Sequence, residues 1–174
     1  VITTQKVDEI VFSLSGNVSM LQVAVPQERR TTLLYTKFYN DKLETAHFTG
    51  VVTKLVKDFK NLKLDFAVEH EAKHEIEKVA DVLEVALKGE SDVIFIIAGQ
   101  RNSHADDVIA SAVRSVADEV IITSIPQIGA SDLLIALKRG KKIISLPFNY
   151  ATQDNTLANH YIKLALLNDK ITPE

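Results

Sequence analysis

The amino-acid sequence predicts an α/β chain, a three-layer α/β/α sandwich on a mostly parallel sheet covering residues 31–171. Three observations carry that expectation. Five strand-like runs (32–36, 62–69, 92–98, 119–123 and 141–146) alternate with helix-patterned stretches, the order from which a parallel sheet with helices on both faces follows. The runs are apolar almost without alternation, as burial on both faces requires. Residues 91–113, SDVIFIIAGQRNSHADDVIASAV, pass from an apolar run through a polar loop directly onto an amphipathic segment, which reads as strand, loop and helix start.

The elements follow in order. Val7, Ile10, Val11 and Leu14 fit successive helical turns, Gly16-Asn17 reads as a C-terminal cap, and residues 20–25 fit a short strand ending at Pro26. The charged residues 27–30 look like a linker, so residues 1–30 are expected to be an N-terminal extension that packs on the core or leads in from a preceding domain, with residues 31–174 as the main domain. Val1 is not an initiator methionine, which points to a piece of a longer chain or a processed protein; the piece is the expectation. After the first run, Phe48, Val51, Val52, Leu55, Val56 and Phe59 share one helical face. Ile76, Val79, Ala80, Leu83 and Leu87 repeat that spacing, with Gly89 as a stop. Ile109, Ala112, Val113 and Val116 form a third face, Leu133, Leu134 and Leu137 a short fourth, and Leu157, Ala158, Tyr161, Ile162 and Ala165 a fifth.

Composition narrows the function classes. The chain has 174 residues, 46% apolar and 25% charged, enough for one domain with a real core. A net charge of −3 leaves no electrostatic footprint for nucleic acid, and the clusters at Arg29-Arg30 and residues 138–142 read as solvated faces. The absence of cysteine removes disulfides, thiolate metal sites and cysteine nucleophiles. No apolar run approaches the ~20 residues of a membrane span, so a cytoplasmic protein without membrane partners is expected.

Candidate chemistry gathers where strands end and helices begin, because free N–H groups and the helix dipole there favour anions. Gly99, Gln100, Arg101, Asn102 and Ser103 follow the third run. Ser103 and Asp106 have capping-box spacing, which leaves Asp107 as the carboxylate expected to point into a cleft. Thr36 and Lys37 end the first run, residues 126–129 follow the fourth and residues 147–150 the fifth. The resulting cleft is expected to be framed by Thr36, Lys37, Gly99, Gln100, Asp106, Asp107, Pro126, Gly129, Pro147 and Asn149. A phosphate beside aspartates needs a bridging cation, and Mg²⁺, served by one or two carboxylates plus phosphate oxygens, is expected at Asp107. His70-Glu71-Ala72-Lys73-His74 has the letters of a zinc-protease helix. His70 directly follows a strand, however, so only His74 is expected on a helix and no structural zinc is expected.

The chain resembles the molybdopterin-binding domain family, the MoaB/MogA/MoeA type of molybdenum-cofactor biosynthesis, and most of all its divergent MoeA-like members. The resemblance rests on Ile97-Ala98-Gly99-Gln100 leading to Asp106-Asp107, on Ile125-Pro126-Gln127-Ile128-Gly129 and on Ser145-Leu146-Pro147-Phe148-Asn149, with Leu34-Tyr35-Thr36-Lys37 and His70-Glu71 at matching positions. It implies a site for a pterin phosphate or its adenylated form, lined by Thr36, Lys37, Gly99, Gln100, Asn102, Ser103, Pro126, Gly129, Pro147 and Asn149. Asp106 or Asp107 would be the functional aspartate of Mg²⁺-dependent adenylyl transfer or molybdate insertion. A homo-oligomer and a fused or separate nucleotidyltransferase partner are implied as well. The sequence departs from the family pattern at Gln100 and Phe148, which replace glycines, and at Lys37. Glycines there let backbone approach a ligand, so the large side chains narrow or reshape the site. A non-catalytic assembly or docking domain of the same fold is therefore the alternative, and a zinc hydrolase using His70 and His74 the distant one.

Overall fold

A computed structural model describes residues 28–38, 42–99, 107–125 and 130–167. In chain order these form β1 (Arg29–Lys37), α1 (Lys42–Asp58), β2 (Leu64–Lys73), α2 (Ile76–Lys88), β3 (Val93–Ala98), α3 (Val108–Val116), β4 (Glu119–Ile125), β5 (Ala130–Lys138), β6 (Lys141–Ser145), a 3₁₀ turn (Phe148–Ala151) and α4 (Thr156–Leu167). The six strands make one sheet ordered β2-β1-β3-β6-β5-β4. β1 pairs in parallel with β2 and β3, β3 pairs in parallel with β6, and only β5 runs against its neighbours. No helix among the described residues is long and apolar enough to cross a membrane.

β3 lies between two cores. Val93, Phe95 and Ile97 join Leu33, Tyr35, Val51, Leu55 and Ile162 on the face covered by α1 and α4. Ile94, Ile96 and Ala98 join Leu34, Val79, Leu83, Ile109 and Val113 on the face covered by α2 and α3. Period-2 alternation within an unbroken apolar run thus feeds both layers. The helix positions follow from connection handedness: the chain steps outward from β1 to β2 through α1 and back across to β3 through α2, and right-handed crossovers in opposite directions put those helices on opposite faces.

The fourth helical face expected at Leu133, Leu134 and Leu137 is instead strand β5. Leu133 and Ile135 pack on one core, Leu134 and Ala136 on the other. Leucine and alanine favour helices, but a run buried on both sides cannot be told from a helix by periodicity, and pairing on two sides overrides propensity. The signal lies in Arg139-Gly140, both at positive φ (50° and 79°), as a two-residue hairpin turn joining antiparallel strands requires. Asp118 holds that turn, accepting from Lys138 Nζ at 2.7 Å and Arg139 N at 2.8 Å. The basic cluster at residues 138–142 is therefore a hairpin. β1 begins at Arg29, so Arg29-Arg30 belong to a strand rather than a linker. β2 runs on to Lys73, which places His70 inside a strand and His74 ahead of α2; neither histidine is helical.

The 3₁₀ turn is locked to α1 and α4 by one polar cluster. The Tyr150 hydroxyl lies 2.8 Å from Asn159 Oδ1 and 3.1 Å from Asp58 Oδ2, while Asn159 Nδ2 and Lys54 Nζ reach the same Asp58 oxygen at 2.9 and 3.1 Å. Burial and the Asp58 charge push the Tyr150 phenol well above its ordinary value, so it stays a neutral donor. Burial alone would raise Asp58, but hydrogen bonds from Asn159, Lys54 and Tyr150 outweigh it and hold the carboxyl below its usual range. Asp58 accordingly contributes stability that is complete above the unfolded carboxylate value near ~3.9 and is lost as pH falls through the lower folded value. Denaturant titrations at pH 7 and below should show this acid loss reduced in Asp58→Asn. Tyr150→Phe, which strips a buried network of its donor, should cost about 1–3 kcal/mol.

Candidate functional site

In open α/β sheets the crevice lies at the carboxyl edge where successive connections leave toward opposite faces. Here that switch falls between β1, whose connection leads to α1, and β3, whose connection leads to α3 on the other face. The described residues at this edge include the ends of β1, β2, β3, β4 and β6, the start of β5, the N-terminal parts of α1, α2 and α3, and residues 147–149.

Thr36 is fully buried between strands. Its Oγ1 accepts the Gly99 amide at 3.3 Å and lies 2.9 Å from Nδ1 of His74, itself a buried side chain. His74 N donates to the Lys37 carbonyl at 2.8 Å. Thr36 thus ties the ends of β1, β2 and β3 together. Gly99 has a packing reason of its own: a Cβ there would sit 2.2 Å from the Thr36 carbonyl oxygen and 3.3 Å from Glu44 Oε1. The close approach expected between this glycine and a ligand is an approach to the neighbouring strand. Lys37 pairs with Glu71 at 2.6 Å, which draws its ammonium toward β2.

Asp107 is the N-cap of α3, its Oδ1 accepting from Ile109 N at 2.8 Å. The carboxylate expected to turn freely into the cleft thus has one oxygen engaged as a helix cap, while the expected capping pair Ser103 and Asp106 lies outside the described residues. The first free amides of α3 prefer the carboxylate immediately before them. Pro147 is buried and opens the 3₁₀ turn, its carbonyl accepting from Tyr150 N at 2.9 Å. Asn149 is half-buried, and its carbonyl accepts from Thr152 N and Gln153 N. Gln100, Asn102, Ser103, Asp106, Pro126 and Gly129 lie outside the described residues.

Two residues that sequence reasoning passed over stand here. Glu44, buried in the first turn of α1, accepts from Phe38 N at 2.8 Å, and its carbonyl takes the Tyr35 hydroxyl at 2.7 Å. His47, almost one turn on, stacks on Phe148 with ring centroids 4.5 Å apart and planes at 24°. Its ring is also hydrogen-bonded to the Ala98 backbone, and its buried Nε2 has no hydrogen-bond partner among the described residues. Burial lowers the His47 value, only partly opposed by the Ala98 carbonyl, so the ring is neutral at pH 7. The signal for both was the argument already applied to α3: residues in the first turns of a helix following a parallel strand face the carboxyl edge.

A groove of about 320 Å³ including its open mouth lies elsewhere, lined by Glu84, Leu87, Lys88, Val116, Lys138 and Arg139 at the amino edge. Helix C-termini meet it, and its cations complement those carbonyls; it is not where the strands present amides. Among the described residues no group of three or more His, Asp or Glu side chains is placed to hold a metal ion. As arranged, the carboxyl edge offers helix N-terminal amides, a neutral imidazole and the Asp107 carboxylate.

Gly99→Ala should destabilise the domain by about 1–3 kcal/mol, the usual range for overpacking, because the obstacle is backbone rather than a side chain that can turn away. Asp107→Ala should cost about 1 kcal/mol through the lost cap. Urea unfolding midpoints at constant slope would measure both.

No family model and no curated protein matches the sequence. Solved structures do. A structure of molybdenum cofactor biosynthesis protein B aligns at a TM-score of 0.58 with 18% identity, over 82% of this chain and 91% of that one. The protein CinA of Thermoplasma acidophilum, described as of unknown function, aligns at 0.57 with 12% identity, over 79% and 98%. The molybdopterin biosynthesis moea protein of Pyrococcus horikosii aligns at 0.54 with 18% identity, over 86% of this chain and 37% of that one. The chain thus spans little more than a third of the latter protein. At such identities the likeness is one of backbone, and it shows that this chain has the α/β fold seen in MoaB- and MoeA-type proteins of molybdenum-cofactor biosynthesis.

Proposed function

We propose that the chain is a molybdopterin-binding domain of a MoeA-like cofactor-biosynthesis protein, taking a pterin phosphate or its adenylated form at the carboxyl edge. The observation that carries this is the switch point between β1 and β3, which turns the N-termini of α1 and α3 toward one edge in the fold shared with those proteins. An anion there gains roughly 0.3–1 kcal/mol per helix terminus. In this reading the loop residues Gln100, Asn102, Ser103, Pro126 and Gly129 complete the pocket begun by Thr36, Lys37, Gly99, Pro147 and Asn149. Asp107, with Asp106 beside it in sequence, holds Mg²⁺ against the phosphate. The Asp107 oxygen that caps α3 then sets the carboxylate's orientation. Magnesium would supply charge neutralisation at the phosphate, while the chain's own groups bind and orient the ligand. Residues 31–174 form this domain, and a nucleotidyltransferase partner and a homo-oligomer belong to the same reading.

A specific contact favours the alternative, a docking domain that has lost its ligand. Phe148, where the family pattern has glycine, packs flat on His47 and puts two rings in the mouth between α1 and β6. Thr36 is buried and Lys37 is paired within the sheet, so neither is poised for an anion.

Calorimetric titration of molybdopterin with and without Mg²⁺ separates the two. The binding domain predicts saturable, magnesium-enhanced binding that Asp107→Asn weakens at least tenfold while the melting temperature holds, since asparagine caps as well as aspartate. No binding to the natural chain at millimolar ligand, with binding restored in Phe148→Gly, would establish the blocked cleft instead.

A further inference from the structure

One stripe of α1 is given over to the 3₁₀ turn. His47, Gly50, Lys54 and Asp58 recur every three or four residues, so they share one face of the helix. His47 stacks on Phe148. Gly50 lies under Ala151, whose Cβ would be 3.5 Å from a Cβ at that position. Lys54 Nζ stands 5.7 Å from the centre of the Tyr150 ring and 3.1 Å from Asp58, whose carboxylate lies 3.1 Å from the Tyr150 hydroxyl. The turn is tied on its other side as well: Asn159 Oδ1 is 2.8 Å from the same hydroxyl, and Asn155 Nδ2 donates to the Tyr150 carbonyl at 2.7 Å. The two ends of the stripe differ in strength. Stacking adds only about two- to tenfold to the preference that burial already gives a pair of rings, and both rings of this pair are half-buried. Tyr150 and Asn155, by contrast, are buried and hydrogen-bonded.

We propose that Tyr150, Asp58 and Asn159 are positioning residues for the carboxyl-edge mouth. They latch the turn at the far end of the stripe and so hold Phe148 on His47; release of the latch frees the ring and opens the crevice. His47 and Asp58 are eleven residues apart, about 16 Å along a helix. The turn bridges that distance with the Phe148 ring at one end and the Tyr150 hydroxyl at the other. Its backbone is closed by Tyr150 N on the Pro147 carbonyl at 2.9 Å and by Thr152 N on the Asn149 carbonyl at 3.0 Å, so a shift of one ring carries the other. His47 is fixed on α1 and bonded to the Ala98 backbone, which leaves Phe148 as the member of the stack that moves. The latch itself is independent of any ligand. Its consequence for binding rests on the site proposed above, where Phe148 stands in the ligand's way.

The chain has no tryptophan, so Phe148→Trp places a single indole on His47. In that background Tyr150→Phe and Asp58→Asn should each raise acrylamide quenching of the indole at least twofold, whereas Thr53→Ala, on the exposed side of α1, should not. With Phe148 in place, the NMR titration of His47 is a second readout. Burial lowers its midpoint, so loosening the stack should raise its proton affinity at least threefold in both variants. Leu83→Val, which weakens the core on the other face of the sheet, should leave it unchanged. Calorimetry should show molybdopterin binding Tyr150→Phe at least threefold more tightly than the natural chain. Quenching and midpoint unchanged in both variants, or a midpoint moved as far by Leu83→Val, would overturn the latch whatever the ligand result. A freed ring with unchanged molybdopterin affinity would overturn its control of the mouth. A freed ring with no molybdopterin bound by any variant would support the latch and overturn the ligand site instead.

Discussion

The constraint on which the rest of the structure depends is the burial of β3 on both faces. Every residue from Val93 to Ala98 is buried, and odd and even positions belong to different cores. A strand so placed needs partners on both edges and a helical layer on each face, since its backbone groups must pair and its side chains must leave water. β1 and β6 meet the first need, and α1 with α4 and α2 with α3 meet the second. The carboxyl end of β3 is therefore held from all sides, which is why the backbone there approaches Thr36 closely enough that only glycine fits at position 99.

That rigidity shapes the candidate site. Thr36, Gly99 and His74 are spent on joining three strand ends, Asp107 on starting a helix, and Lys37 on an ion pair. These groups build the floor and rim of a crevice more than they line it. The rings of His47 and Phe148 occupy the side toward β6, so the width of the mouth depends on a contact between α1 and the 3₁₀ turn. The same turn is fastened through Tyr150 to Asp58 and Asn159. A polar cluster remote from the carboxyl edge thus fixes where Phe148 stands.

Much of the fold was legible locally. Helix faces at Val51-Leu55, Val79-Leu83 and Ile109-Val113 follow from spacing, because a 3.6-residue period has one apolar stripe whatever it packs against. β5 was not legible: Leu133 to Leu137 is apolar at every position, and period two and period 3.6 fit such a run equally well. Of the site, Gly99 and Asp107 were identified for a ligand and prove to have structural duties; Glu44 and His47 went unseen because the strand-end argument was applied to the loop after β3 and not to the first turns of α1.

By itself, the sequence determined which segments are buried, where the chain must turn and at which ends of the strands polar groups collect, since hydrophobic patterning and turn chemistry act over a few residues. Tertiary structure alone decided the strand order, the antiparallel insertion of β5 and the partners of each polar side chain. Thr36 meets Gly99 and His74 across 63 and 38 residues of chain, and His47 meets Phe148 only because the chain leaving β6 turns back as a 3₁₀ turn packed against α1. Such contacts are set by which elements share a face and by the space left between them, and no local pattern records either.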